Sequence, residues 1–220
     1  MTNIYTINSL TFSYPKSETI FENVNISIEK NQHIGLIGPN GCGKTTLVKL
    51  MMGVLKPCTG QIHLKGHNIS DMSLSEIGKN VGFVFQNPEK QLFAPSVLEQ
   101  MLFNYRFDKN INETETNNKI DYYLDLFGLI DYKDSFPFNL SLGQKQRLAL
   151  ASILSRDADF LIMDEPNTGL DIFHLKNLST SLLSLKNENK GYLIISHDKS
   201  FLSKNVDKLL RIRDKGVEFV

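Results

Sequence analysis

The chain has 220 residues, of which 41% are hydrophobic and 22% charged, enough apolar material for one large domain or two small ones. Basic and acidic residues both total 24, so a net charge of zero provides no global attraction to nucleic acid. Two cysteines do not suggest a disulfide framework, the N-terminus lacks a signal-peptide pattern, and no apolar run approaches the roughly 18 residues of a membrane span. These features favour a reduced, cytoplasmic compartment.

The first part of the chain is predicted to form β-strands. Apolar and β-branched residues dominate four short runs, which are Ile4–Ile7, Val24–Ile28, His33–Ile37 and Gln61–Leu64. Within the second run Asn25 and Ser27 alternate with apolar residues, which is typical of a sheet with one exposed face. We expect an antiparallel β layer here.

A glycine-rich segment, Gly38–Thr46, follows the third run and is called the phosphate loop below. It fits the pattern G-x-x-x-x-G-K-[ST], in which glycines let successive backbone N–H groups surround a phosphate chain. Lys44 would supply a cation for the β- and γ-phosphates, and the Thr45 hydroxyl would ligate Mg²⁺. The alternative is a glycine-rich turn without a ligand. The strand before the loop and the helix predicted for Thr46–Met52, whose dipole would face the phosphates, favour a nucleoside triphosphate site.

The middle of the chain changes from β to helical character. Val81–Phe85 is a compact apolar strand, and residues 87–155 are predicted to form a helical subdomain. Its predicted helices are Val97–Phe107, Asn118–Leu129 and Lys145–Leu154, and the polar segment Asp108–Asn117 is predicted to be a surface loop.

Buried strands return in the last part of the chain. Asp159–Met163 and Gly191–Ile195 are predicted buried strands, and continuous apolar runs such as Phe160–Met163 are typical of parallel strands covered on both faces. A helix is predicted between them at Phe173–Leu185, and two short strands within Asp207–Val220. The sequence therefore predicts one α/β domain over residues 1–220. Residues 1–86 and 156–220 would form its mostly parallel core with the antiparallel layer, and residues 87–155 the helical insertion.

An acidic pair, Asp164 and Glu165, ends the first of these strands. Hydrolysis of a triphosphate needs Mg²⁺ held in place and a carboxylate that orients the attacking water. Open α/β sheets present their ligand sites at such strand ends. We interpret Asp164 as the metal-side carboxylate and Glu165 as the general base; the alternative is an acidic pair that merely faces solvent.

Ser141 and Gln144, within the segment Leu140–Gln144, form an S-x-x-Q capping box before the helix at Lys145–Leu154. By itself this pattern indicates only a well-capped helix. The capping box precedes the acidic pair, and His197 follows the last buried strand. This order of motifs suggests that the capping box has a functional role as well.

Taken in order along the chain, these motifs resemble an ATP-binding cassette (ABC) ATPase, a P-loop NTPase fold. The resemblance runs from Tyr14 to about Ile212. It implies ATP and Mg²⁺ as cofactors, ATP hydrolysis coupled to transport, and a dimer in which two cassettes sandwich two ATP molecules head to tail.

The resemblance also implies roles for single residues. The expected ATP-binding residues are Tyr14, which would stack on adenine, and Gly38, Pro39, Asn40, Gly41, Cys42, Gly43, Lys44, Thr45 and Thr46. The expected catalytic residues are Glu165, His197, Gln86 and Lys44, and the expected Mg²⁺ residues are Thr45, Gln86 and Asp164. Ser141, Gly143 and Gln144 would contact the γ-phosphate on the opposite subunit, and Asp171 would belong to the D-loop, Asn167–Asp171. Leu142 departs from the glycine that is common at its position.

The segment Phe85–Val97 is similar to the Q-loop region of energy-coupling factor (ECF) and cobalt/biotin-type transporter ATPases. This similarity implies an importer of a vitamin or a metal ion. A transmembrane subunit would contact about Asn87–Val97, where Leu92, Phe93 and Pro95 would form an apolar floor; the alternative is that these residues pack internally. The similarity also implies that the chain lies on the inner face of the cell membrane and pairs with an identical or a different second ATPase subunit. Nucleic acid is not expected as a partner. The alternative function is a soluble single-cassette ATPase with an assembly or regulatory role.

Overall fold

The computed structural model describes residues 2–106 and 112–220. Seven α-helices are found among these residues. They are α1 (Lys44–Met51), α2 (Leu74–Asn80), α3 (Val97–Leu102), α4 (Glu113–Leu126), α5 (Leu142–Leu154), α6 (Ile172–Asn187) and α7 (Lys199–Asn205). The strands of the same residues are β1 (Asn3–Ser13), β2 (Thr19–Glu29), β3 (His33–Ile37), β4 (Thr59–Leu64), β5 (His67–Asn68), β6 (Val81–Val84), β7 (Phe160–Asp164), β8 (Gly191–Ile195), β9 (Lys208–Arg213) and β10 (Gly216–Phe219).

The strands form two sheets. A four-stranded antiparallel sheet has the order β2-β1-β4-β5. In β2 the side chains of Val24, Ile26 and Ile28 are buried while Asn25 and Ser27 are exposed, which confirms the predicted half-exposed face.

The second sheet has the order β10-β9-β3-β8-β7-β6. β3 runs parallel to β8 and β9, and β7 runs parallel to β8, whereas β10 is antiparallel to β9. Every residue of β7 and β8 is buried, as expected for strands covered on both faces. The α/β class with a mostly parallel core sheet is therefore confirmed.

Two short helices were not predicted, α2 and α7. Each begins at a side-chain cap: Ser73 and Glu76 form a reciprocal capping box before α2, and Asp198 accepts a hydrogen bond from the Phe201 backbone before α7. The predicted surface loop was wrong for Glu113–Asn117, because Asn112 caps α4 and the helix begins at Glu113. The remaining part of that loop, Asp108–Ile111, and the end of the predicted helix at Phe107 lie outside the described residues.

The chain divides into two compact units. The first unit contains Met1–Gly82, Ala158–Asp164 and Ser184–Val220, and the second contains Phe83–Asp157 and Glu165–Leu183. The second unit thus includes the segment after β7 as well as the helices of the middle region. Within residues 2–106 and 112–220, no helix combines the length and the hydropathy that crossing a bilayer requires.

Candidate functional site

The phosphate loop connects β3 to α1 in the first unit, and its glycines adopt backbone angles that other residues resist. Gly41 has a φ of 78° and Gly43 a φ of 106°. A Cβ atom on Gly43 would lie 2.6 Å from Ile20 Cγ2 and 2.9 Å from Phe21 Cζ. Glycine is therefore required at this position both by backbone conformation and by the close approach of β2.

Two side chains at the start of α1 are fixed by hydrogen bonds. Lys44 Nζ donates to the carbonyl oxygens of Gly38 and Pro39 at 2.8 and 2.9 Å, which holds the ammonium group at the loop itself. Thr45 Oγ1 donates to Asp164 Oδ2 at 3.4 Å. This bond joins the phosphate loop to the end of β7, so the structure brings together two of the residues predicted to ligate Mg²⁺.

Asp164 is buried, with 5% of its surface exposed. Burial raises the pKa of its carboxyl above the usual value, while the hydrogen bond from Thr45 and the charges of Lys44 and His197 act in the opposite direction. A carboxyl with a raised pKa in the folded chain stabilises the fold while protonated, and this contribution is lost as the pH rises through the raised value. At neutral pH the ionised carboxylate therefore costs stability.

Asp164→Asn is consequently expected to raise the melting temperature of the nucleotide-free protein at neutral pH, by about 2–4 °C. The gain should shrink near about pH 3, below the ordinary pKa of an aspartate, because the wild-type carboxyl is then largely protonated in both states. Calorimetry at the two pH values measures both effects. Asp214→Asn, at an exposed position, is the control and should leave the melting temperature unchanged. A variant that melts at or below the wild-type temperature at neutral pH would contradict the prediction.

Tyr14 lies beside the phosphate loop. Its hydroxyl is 3.3 Å from Thr46 Oγ1, and its ring makes an edge contact with Phe12 at a centroid distance of 5.0 Å. These contacts place the aromatic ring next to the first turn of α1, near enough for the loop and the ring to belong to one nucleotide site.

His197 follows β8 and is exposed. It lines a cavity of about 640 Å³ together with Gly38 and Lys44. The structure therefore brings His197, the phosphate loop and Asp164 to the same end of the parallel strands, where open α/β sheets bind ligands.

The remaining predicted residues lie in the second unit. Ser141 caps α5: its Oγ accepts from the Gln144 backbone at 3.3 Å, and its backbone N–H donates to Gln144 Oε1 at 2.9 Å. Leu142, at the first position of the helix, is 66% exposed. The N–H groups at this helix start are suited to an anion. Gln86 follows β6 and is exposed.

The chain turns sharply after β7. Glu165 is buried and has a φ of 52°, a left-handed conformation that is uncommon for a residue with a side chain. Its carbonyl accepts a hydrogen bond from the Thr168 backbone at 3.1 Å, which closes the turn into the D-loop. Strained backbone of this kind clusters at functional sites.

The D-loop contacts α5 within the second unit. Gln146 Nε2 donates to the Pro166 carbonyl at 3.5 Å, and a Cβ on Gly143 would lie 3.2 Å from the Gly169 carbonyl oxygen. Asp171 Oδ1 accepts from the backbone N–H of His174 at 2.8 Å, the main reason why the pKa of this carboxyl is lowered. Sequence reasoning missed His174, because no motif contains it.

The segment predicted to contact a membrane partner is anchored by Gln91. Its amide accepts from the Phe85 backbone at 3.3 Å and donates to the Ala149 carbonyl at 3.0 Å. Leu92 is buried, so its assignment to an apolar surface was wrong: it points into the core of the unit, whereas Phe93 and Pro95 are exposed.

Comparison with known proteins agrees with this arrangement. The sequence model of the ABC transporter family matches residues 21–168. The energy-coupling factor transporter ATP-binding protein EcfA1 of Thermotoga maritima is 38% identical over 214 residues, covering 97% of this chain and 80% of that protein. EcfA of Methanothermobacter thermautotrophicus is 34% identical over 205 residues, covering 92% of this chain and 66% of that protein.

A solved structure shows the same fold. CbiO1 from Clostridium perfringens, described as part of the ABC transporter complex cbiONQ, has a TM-score of 0.81 and 28% identity, covering 99% of this chain and 88% of that chain. The family match and the similarity over nearly the whole chain show that this protein belongs to the ABC transporter family, as an ATP-binding subunit related to those of energy-coupling factor transporters.

Proposed function

We propose that this chain binds MgATP, pairs head to tail with a second cassette, hydrolyses the ATP and thereby drives a separate transmembrane protein. The observation that carries the proposal is the Thr45–Asp164 hydrogen bond beside Lys44, because it combines a phosphate loop with a buried carboxylate. Glu165 follows that carboxylate directly in the chain and would orient the attacking water as the general base. Family membership supports ATP as the nucleotide.

The donor set of this site fits magnesium. Thr45 and Asp164 offer a hydroxyl and a carboxylate oxygen, the hard ligands that Mg²⁺ prefers, and burial makes the Asp164 carboxylate costly without a cation. Gln86 would supply a further oxygen. The bound ion would neutralise charge on the phosphates. Lys44 and His197 would hold the γ-phosphate, and Tyr14 would stack on the adenine.

The signature segment, Leu140–Gln144, supports pairing with a second cassette. Ser141, Gly143 and Gln144 stand at the start of α5 where backbone N–H groups can receive an anion, and Leu142 is exposed beside them. We propose that they receive the γ-phosphate of the ATP on the opposite subunit. Asp171 would act at the same subunit boundary. ATP would then hold the dimer together until hydrolysis releases it.

An exposed aromatic surface supports a membrane partner. Phe93, Phe136 and Phe138, called the aromatic surface below, are 58%, 45% and 41% exposed. The Val97 backbone donates to the Ser135 carbonyl at 3.0 Å, and Lys145 lies 2.7 Å from Glu89 and 5.4 Å from the Phe138 ring, so these segments adjoin. Clustered exposed aromatic rings mark protein interaction sites. We propose that this surface and Asn87–Val97 receive a helix of the transmembrane subunit.

The relatives named as energy-coupling factor subunits support an importer of a vitamin or a metal ion. The chain would accordingly sit in the cytoplasm against the inner face of the cell membrane. No observation favours the soluble, non-transport alternative.

Phe93→Asp is expected to reduce recovery of the membrane partner roughly tenfold or more, because an exposed aromatic ring at the centre of an interface contributes strongly to binding. The measurement is detergent extraction of native membranes with tagged protein, followed by identification of the co-purified protein with membrane-spanning helices. Tyr122→Asp is the control, since Tyr122 is equally exposed but lies on α4. If the wild-type protein recovers no membrane protein, the result contradicts a transport role and favours the soluble, non-transport alternative.

A further inference from the structure

His174 lies at the start of α6 and links the D-loop to the signature helix α5. Its side chain is 13% exposed, and both ring nitrogens have partners. Nδ1 is 2.8 Å from Asp171 Oδ1, and Nε2 is 2.9 Å from Arg147 Nη1. Arg147 belongs to α5, so a half-buried imidazole joins a D-loop carboxylate to the helix that carries Ser141.

The available hydrogens define the direction of each bond. Arg147 Nη1 has two hydrogens, and its short contacts are the Phe127 carbonyl at 2.5 Å and His174 Nε2 at 2.9 Å. A guanidinium can only donate, so Nε2 accepts. The ring proton is then on Nδ1, where it donates to Asp171. The chain of bonds therefore runs from Arg147 through the neutral imidazole to the D-loop carboxylate.

The end of α4 is shaped to admit this pair. Gly128 follows the helix with a φ of 63°, and a Cβ at this position would lie 2.9 Å from Arg147 Nη1 and 3.3 Å from His174 Nε2. Any larger residue would be strained in its backbone and would press on both side chains. The Phe127 carbonyl accepts a hydrogen bond from Arg147, and the absence of a side chain on Gly128 leaves the space in which Arg147 and His174 contact each other.

The link does not stand alone. Gln146 donates to Pro166, directly before the D-loop, and Gly143 lies against the Gly169 carbonyl, so α5 contacts the segment Pro166–Asp171 at its beginning, its middle and, through His174, its end. The D-loop and α5 accordingly belong to one compact unit. The connection through His174 differs from the other two because it fixes the orientation of a charged side chain, that of Asp171.

We propose that His174 is a positioning residue that couples the placement of the signature helix to the orientation of Asp171 in the D-loop. The inference rests on the proposed function, in which Ser141, Gly143 and Asp171 act at the boundary with the second cassette. In this role His174 would act through Asp171 and α5 and not by contact with the nucleotide or the partner. It holds the start of α5 and the D-loop in a fixed arrangement at the boundary with the second cassette. Catalysis would therefore depend on the placement of α5.

Two substitutions divide the link. Glutamine at position 174 can place its amide oxygen where Nε2 accepts from Arg147, and asparagine can place its amide nitrogen where Nδ1 donates to Asp171. Each variant keeps one half of the connection and loses the other. Because the proposal requires both halves, His174→Gln and His174→Asn should each lower kcat for ATP hydrolysis about tenfold, with the KM for ATP within about twofold of wild type.

The measurements are steady-state ATP hydrolysis and the melting temperature of each variant. Lys176→Gln, an exposed position on the same helix, is the control and should match wild type. Combining His174→Gln with Arg147→Lys should lower kcat no further than the stronger single change, because either change alone already breaks the chain of bonds from Arg147 to Asp171. This non-additivity separates positioning from a loss of packing.

Several results would overturn the proposal. If both position-174 variants hydrolyse ATP within twofold of the wild-type rate, the link has no role in catalysis. Additive effects of Arg147 and His174, or a loss of kcat that follows the melting temperature alone, would reduce His174 to a packing residue. If either variant fails to fold, the other variant and Arg147→Lys still decide the question. A wild-type protein without ATPase activity would instead refute the proposed function.

Discussion

Replacing Glu165 by glutamine is expected to abolish ATP turnover while leaving ATP binding intact. Glutamine has the same shape but cannot accept a proton, and general bases contribute about 10²–10⁴-fold to such reactions. Glu165 is buried at a left-handed turn directly after Asp164, so its side chain has a defined environment that the amide can occupy. Phosphate release should fall by at least about 100-fold.

The same variant should accumulate as an ATP-bound dimer, because hydrolysis is the step that would separate the subunits. Size-exclusion chromatography with ATP and Mg²⁺, and again with ADP, measures this directly. Glu188→Gln is the control, since Glu188 is an exposed residue after the end of α6. A Glu165→Gln protein with normal turnover would show that another group is the base.

Lys44→Ala is expected to weaken ATP binding by about 100-fold, since it removes the cation that we propose to contact the phosphates. Lys44 Nζ is held by the carbonyls of Gly38 and Pro39, so the ammonium is already positioned in the loop. Hydrogen bonds to charged groups contribute about 1.5–3 kcal/mol each, and losing one or two of them accounts for the expected effect.

Isothermal titration with ATP and Mg²⁺ measures the affinity of the Lys44 variant. Lys49→Ala is a closely matched control, because Lys49 is a lysine of the same helix whose side chain is exposed to solvent in the last turn. Equal ATP affinities of the wild type and Lys44→Ala would show that the phosphate loop does not bind the nucleotide. That result would contradict the proposed function.

Much of the architecture could be predicted from local patterns. β3, β7 and β8 are continuous apolar runs, and the structure places all three as adjacent parallel strands. The helix after the phosphate loop was also evident, because the glycines before it and the apolar residues within it are consecutive. α2 and α7 were missed because each has seven residues, too short for helical periodicity to be distinctive. The capping box at Ser73 and the cap at Asp198 were the signals that could have revealed them.

Burial on the proposed docking segment could not be predicted in the same way. Leu92 and Phe93 are adjacent and both apolar, yet the first is buried and the second is 58% exposed. Their directions depend on Gln91, whose side chain ties the segment to the backbone of Phe85 and of α5. A sequence shows which residues are apolar, whereas the tertiary hydrogen bonds determine which of them face solvent.

The sequence by itself determined the α/β class, the family and the order of the candidate site residues, because each of those features depends on residues that are consecutive or nearly so. The phosphate loop is the clearest case, since its conformation follows from the glycines within one short segment. The tertiary structure alone decided that Asp164 meets Thr45, 119 residues away, and that His174 joins Arg147, 27 residues away, to Asp171. Such contacts depend on how separate elements pack, and no local pattern encodes that packing.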